Sequence, residues 1–312
     1  MQDQTNSNHH HRDPRMIAAI GTPLDSVEAL HRTGLEAHLH DQWDAGMDGV
    51  LVGGTMGLLQ LLTDATYRDL VEASVEVTAG RGQLLVGAGD TSFSRTAARI
   101  EFLNGFAIDG VVVLSPYFVK FRQPELVAYF SALANLSKSP LYLYDVPTMT
   151  GAPLEVDSII KLARHANIHG IKCSGNVDKC RELMAKVDSD FEVIVAQADV
   201  TDRLLQSGIH QVLDGIYALT PSWATSIVQS SAAEDWDTAA MYQAKLNGLL
   251  DLVKRHGIFQ TFTHVLNLRG IPGNFAPRPY AELTQTQVSA IDNSPVVQEL
   301  TGSAKAASTV GV

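Results

Sequence analysis

Eight short apolar runs decide the reading of this chain: MIAAI (16–20), GVLVG (49–53), LLVGAG (84–89), GVVVL (110–114), PLYLY (140–144), IHGIK (168–172), FEVIV (191–195) and GIYAL (215–219). Each is bounded by Gly, Pro, Asp or Asn. They are continuous and rich in branched residues rather than alternating, the pattern of strands buried on both faces in a parallel sheet. Their starts are spaced by about 28 residues on average, enough for one strand and one crossover helix. The segments between them carry helical period. Val156, Ile159, Ile160 and Ala163 fall on one stripe, and Leu126, Val127, Phe130, Leu133 and Ala134 on another. Eight such units predict an α/β fold, a closed (β/α)8 TIM barrel. The alternative is an open doubly wound sheet. The Gly-rich dinucleotide fingerprint that would support it is absent after the first run, where the chain reads GTPLDS.

Working outward, the strand pattern stops near residue 220. Ala233 to His256 reads as a long helix, a Pro- and Gly-rich stretch RGIPGNFAPRPY follows, and a last helix is expected near Thr284 to Asp292. The predicted organisation is a disordered polar tail at 1–14, the barrel at 15–222, a C-terminal helical region at 223–302 and a frayed end at 303–312. His9, His10 and His11 fall in the tail and are read as part of it.

Composition narrows the function classes. The 312 residues are 45% hydrophobic and 18% charged, with a net charge of −11. That supports a large core and argues against a nucleic-acid partner, which needs a basic surface. Small anionic substrates stay open, because a local site can be positive on an acidic protein. No stretch approaches the ~20 apolar residues of a membrane span, and no apolar leader precedes the first run, so a cytoplasmic protein is expected. Two cysteines, Cys173 and Cys180, are too few for a disulfide scaffold and are expected to be reduced. On a strand, Cys173 points away from the face that carries Lys172, toward helix.

In a barrel of this kind the chemistry sits at the C-terminal ends of the strands. Among nine lysines, Lys172 is the one that closes an apolar run. Loss of hydration there disfavours the ammonium, and a free amine attacks carbonyls to form a Schiff base. The plainer alternative is a lysine that snorkels outward or pairs with a carboxylate such as Asp199. Lys120, in a loop past the fourth run, is a weaker rival. Tyr144 closes the run before that of Lys172. Adjacent parallel strands lie ~4.8 Å apart, so a phenol and an imine can share one cavity and exchange protons. A core tyrosine is the alternative. The turn Gly53-Gly54-Thr55-Met56-Gly57 offers backbone N–H groups and a hydroxyl suited to a carboxylate, or is an ordinary βα turn.

Together these residues resemble the dihydrodipicolinate synthase and N-acetylneuraminate lyase family of class I aldolases. The matching stretches are GGTMG at Gly53, SPYF at Ser115, YDVPTMTG at Tyr144 and GIKCSG at Gly170, in order between about Met16 and Leu219. The resemblance implies that Lys172 forms the imine with pyruvate or another 2-oxo acid, and that Tyr144 transfers protons. It implies that Thr55 and Met56 hold the 2-oxo acid carboxylate, and that Tyr217 lines the pocket near the imine. It implies no metal or organic cofactor, an aldehyde co-substrate, and a homo-oligomer, a dimer or tetramer.

The sequence departs from the family pattern at the mouth. The usual Gly-Thr/Ser-Thr-Gly-Glu turn reads Gly54-Thr55-Met56-Gly57-Leu58, losing a hydroxyl and a carboxylate. Phe118 stands where dihydrodipicolinate synthases place a second tyrosine. Met149 stands where they carry an arginine for the aldehyde substrate's carboxylate, unless Arg122 supplies that charge. The leading expectation is therefore an aldolase-type lyase acting on a pyruvate imine with a less polar second substrate. The alternatives are 4-hydroxy-tetrahydrodipicolinate synthase, a 2-keto-3-deoxy sugar-acid dehydratase, and a non-catalytic 2-oxo acid binding protein.

Overall fold

The computed structural model describes residues 14–308, with side chains to residue 302. The predicted tail at 1–14 therefore lies, but for Pro14, outside the described residues, as do residues 309–312. Eight parallel strands close into a barrel in chain order. They are β1 (Arg15–Ala19), β2 (Gly49–Val52), β3 (Gln83–Gly87), β4 (Gly110–Leu114), β5 (Leu141–Asp145), β6 (Ile168–Ser174), β7 (Glu192–Ala196) and β8 (Gln211–Asp214). β1 pairs with both β2 and β8, so no edge is left to solvent.

Seven of the eight predicted runs coincide with these strands; the eighth is corrected. The closing strand is QVLD (211–214), and the run GIYAL is Gly215 followed by a short helix, Ile216–Leu219. Gln211 and Asp214 break the apolar pattern in the true strand. Gln211 pairs in register with Arg15 at the barrel floor, where Arg15 donates to Gln83 at 3.0 Å and meets Glu192 at 3.6 Å. A polar floor hides a strand from a search for apolar runs.

Helices cover the barrel because the strand ends hand over to N-caps. Thr63, Ser92 and Asn176 each accept a bond from the backbone three residues on, opening the helices Asp64–Thr78, Phe93–Leu103 and Val177–Met184. The helix Pro221–Ala232 packs on β1 and completes the ring, so the expected boundary at 222 cuts the barrel's last layer. The appendage begins with the helix Trp236–His256, capped by Asp235 and carrying Lys254, Arg255 and His256 at its end, where cations suit the helix dipole. Helices Ile258–Leu268, Gln285–Asp292 and Pro295–Ser308 follow. The last of these enters the stretch expected to fray.

The appendage is tied to the barrel through the helix Arg32–Asp44. Arg269 grips Asp41 with two bonds, at 2.6 and 2.9 Å. Beside this pair His38 is 0% exposed, packed edge-on to Phe275 with ring centroids 5.6 Å apart. Neither of its ring nitrogens has a partner. Burial, helped by the Arg269 charge, pulls its pKa from 6.5 down to about 3. His38 is thus neutral when folded, while the unfolded chain takes up a proton below the ordinary value. Its contribution is intact above that value and is lost as pH falls, by about 1.4 kcal/mol per unit. Between pH 6.5 and 5, His38→Leu should gain about 2 kcal/mol relative to wild type in denaturant unfolding. Parallel pH profiles for the two proteins would reject this account.

Candidate active site

The site forms at the C-terminal mouth of the barrel, and the strand register builds it. Tyr144 on β5 pairs directly with Lys172 on β6, and Tyr142 with Gly170 one rung below. Residues two apart share a face, so this rung points both functional side chains inward. Lys172 is 5% exposed, and its Nζ lies 4.1 Å from the centre of the Tyr144 ring. The ring face offers partial negative charge to an ammonium that has lost its water. The carboxylate that might have paired with it does not: Asp199 is exposed and accepts from Gln197 at 2.6 Å. Lys120 is exposed in the loop past β4.

The Tyr144 hydroxyl is the centre of a polar cluster. Thr55 Oγ1 lies 2.9 Å from it, and Lys172 and Ser174 also hydrogen-bond it. Burial alone would raise the phenol's pKa. The Lys172 charge and the bonds from Thr55, Lys172 and Ser174 outweigh burial, so the pKa falls below 10. A phenol shifted this way gives and takes a proton more readily near neutrality than a free tyrosine does.

Thr55 is delivered by the turn after β2. Gly53 adopts a left-handed φ of 60°, and a Cβ on Gly87 would fall 2.0 Å from the Gly53 carbonyl oxygen. Only glycine at both places lets the turn lie flat on β3. Thr22, in the GTPLDS segment after β1, holds the far side by donating to the Gly57 carbonyl at 2.8 Å. Met56 turns its side chain onto the end of β8, where a Cβ on Gly215 would meet its sulfur at 3.0 Å. Its thioether is packed against that strand.

Tyr217 stands apart from this group. It lies in the helix Ile216–Leu219, is fully buried, and its hydroxyl is 2.6 Å from Thr201 Oγ1. The expected pocket-lining role rested on placing it on the last strand. With that strand ending at Asp214, Tyr217 stands in the short helix that follows it. The structure adds residues that sequence reasoning missed. Ser174 lies two positions beyond Lys172 on β6, on the same face, which period-two alternation alone makes readable. Asp214 ends β8, and burial raises its pKa while Lys172's charge opposes the rise. Asp145, next to Tyr144, accepts from the Leu154 backbone at 3.0 Å and pairs with Lys179 at 2.5 Å. Lys179 also donates to the Leu154 carbonyl, so the loop after β5 is pinned behind Tyr144. No sequence signal marked this pair, whose members are 34 residues apart.

The mouth is apolar where the family pattern is polar. Leu58 takes a left-handed φ of 50° beside the turn after β2. Phe118 is 97% exposed, and Met149 is 64% exposed. Arg122 is bound to Glu125 at 2.7 Å in the cap of the helix Gln123–Leu136. Its charge is already partnered.

Comparison with known proteins identifies the family. The chain is 30% identical over 229 residues to a protein of Exiguobacterium sibiricum named 4-hydroxy-tetrahydrodipicolinate synthase, covering 73% of this chain and 78% of that one. It is 28% identical over 280 residues to a protein of the same name from Methanosphaerula palustris, covering 88% and 96%. The solved structure of the 4-hydroxy-tetrahydrodipicolinate synthase of Methylacidiphilum fumariolicum SolV superposes with a TM-score of 0.85 at 22% identity, over 94% of this chain and 99% of that chain. With a family model matching residues 13–294 as well, this chain belongs to the dihydrodipicolinate synthetase family.

Proposed function

We propose that the protein is a class I aldolase-type lyase that makes or breaks a carbon–carbon bond next to a pyruvate, or other 2-oxo acid, imine on Lys172. The observation that carries this is the Lys172–Tyr144–Thr55 cluster, with Nζ 4.1 Å from the phenol ring and the two hydroxyls 2.9 Å apart. The free amine of Lys172 attacks the keto carbon, and water leaves. Tyr144 relays protons to the departing oxygen and to and from the imine. The Thr55 hydroxyl and the backbone N–H groups of Thr55 and Met56 face the carboxylate. The imine then withdraws electrons from the adjacent carbon, which adds to an aldehyde or is released from one.

A second reading, 4-hydroxy-tetrahydrodipicolinate synthase itself, is favoured by the names of the curated relatives. Phe118 and Met149 weigh against it: neither supplies a relay hydroxyl or a cation for the aldehyde substrate's carboxylate. The exposed Phe118 and Val119 support a homo-oligomer, because large apolar side chains at a barrel mouth favour burial against a second chain. No helix among the described residues is long and apolar enough to cross a membrane, and cytoplasmic placement is part of the proposal.

Pyruvate followed by borohydride should add one covalent label, at Lys172, and Lys172→Ala should take none. Labelling that persists in the variant, at Lys120 for example, would overturn the assignment. Tyr144→Phe should slow turnover by roughly 10²–10⁴-fold while pyruvate binding survives better. In wild type the alkaline limb of turnover should lie below pH 10. Thr55→Val should move it upward, because the phenolate loses a hydrogen bond. A limb that stays in place would leave Thr55 without this role. With aspartate semialdehyde as second substrate, kcat/KM should fall below the ordinary enzyme range of ~10⁴ M⁻¹s⁻¹. Phe118→Tyr combined with Met149→Arg should raise it. A wild-type value already in that range would establish the synthase reading instead.

A further inference from the structure

Immediately behind the imine lysine lie the chain's two cysteines, and the proposed reaction uses neither. Cys173 follows Lys172 on β6 and faces outward, toward the helix layer. Cys180 stands in the helix Val177–Met184, which that strand feeds through Gly175 and the cap residue Asn176. Both are free thiols and both are buried. They hydrogen-bond one another, and Cys180 Sγ also donates to the Asn176 carbonyl at 3.2 Å. The Lys179–Asp145 pair adjoins them. Against the same helix end an open cleft of about 470 Å³ is lined by Leu154, Asn176, Asp178, Lys179 and Glu182. Lys179, which lines it, directly precedes Cys180 in the chain.

We propose that Cys173 and Cys180 are a modification site, a dithiol that a hydroperoxide closes to an intrachain disulfide beside Lys172. Cys180 is the attacking thiol. It is the thiol next in the chain to the Lys179 ammonium, whose charge favours a thiolate, and it stands in the helix whose end borders the cleft. The thiolate sulfur attacks one peroxide oxygen and the O–O bond breaks. Cys180 becomes a sulfenic acid, and hydroxide leaves, taking the thiol's proton as water. The Cys173 sulfur then attacks the Cys180 sulfur. The S–O bond breaks, and hydroxide departs with the Cys173 proton as a second water. Two electrons pass from the sulfurs to the peroxide, so two thiols and one hydrogen peroxide give one disulfide and two waters.

The bond would draw the sulfurs from hydrogen-bond contact to ~2.05 Å, pulling the end of β6 toward its helix. Cys173 shares a peptide bond with Lys172, so the pull reaches the imine nitrogen's backbone first. This consequence rests on the Schiff-base reading; the disulfide itself does not.

The test is a thiol count on the full-length protein. After hydrogen peroxide, denaturation and iodoacetamide, the intact mass should show no alkyl groups, and dithiothreitol should restore two. Cys173→Ser should stop at the sulfenic acid and take up dimedone at Cys180, while Cys180→Ser should not react. Lys172→Ala should still close the disulfide, which keeps this result separate from any failure of the imine. Two thiols still free once peroxide has oxidised the exposed Met149 would overturn the proposal. So would a disulfide-linked dimer, or irreversible sulfinic acid as the main product. Where the disulfide forms, borohydride-trapped pyruvate label should drop several-fold and return with dithiothreitol. Unchanged labelling would remove the link to Lys172.

Discussion

The rung on which Tyr144 faces Lys172 is the constraint from which the site follows. Side chains alternate along a strand, so slipping either strand by one residue would send its functional group into the helix layer and bring Asp145 or Cys173 inward. Barrel closure prevents the slip. β5 and β6 are each paired on both sides, and their outward faces are already committed: Asp145 to Lys179 and the Leu154 backbone, Cys173 to Cys180. The outward face therefore helps to fix the inward one. Its polar pair behind Tyr144 and its thiols behind Lys172 hold the register that the inward face uses.

Electrostatics at the mouth follow from the same packing. A lysine 5% exposed within an apolar barrel needs partners that stabilise it without neutralising it. The Tyr144 ring and hydroxyl do this, and burial raises the pKa of the Asp214 carboxyl that also feels the Lys172 charge. The Lys172 charge in turn favours the phenolate of Tyr144. The two groups thus prepare each other, with Thr55 and Ser174 bonding the shared hydroxyl. Around this cluster the rim carries apolar residues: Leu58, Phe118 and Met149. The departures from the family's sequence pattern concentrate at this rim.

The sequence by itself determined the barrel, because strands buried on both faces leave continuous apolar runs and crossover helices leave one-sided stripes. It placed Lys172, Tyr144 and Thr55 at strand ends, where this fold keeps its chemistry, with Tyr144 and Lys172 one unit apart. Only the tertiary structure decided the rest. The eighth strand carries Gln211 and Asp214, whose environments are a polar floor and a mouth built by other strands, so its own pattern was illegible. Tyr217, read as part of the last strand, lies in a short helix and is bonded to Thr201. The final helix, the Lys179–Asp145 clamp and the meeting of Cys173 with Cys180 depend on where separated segments pack. Local periodicity reports which face of an element is buried. It carries no information about which distant residue fills the space opposite, and that choice is made only when the whole core closes.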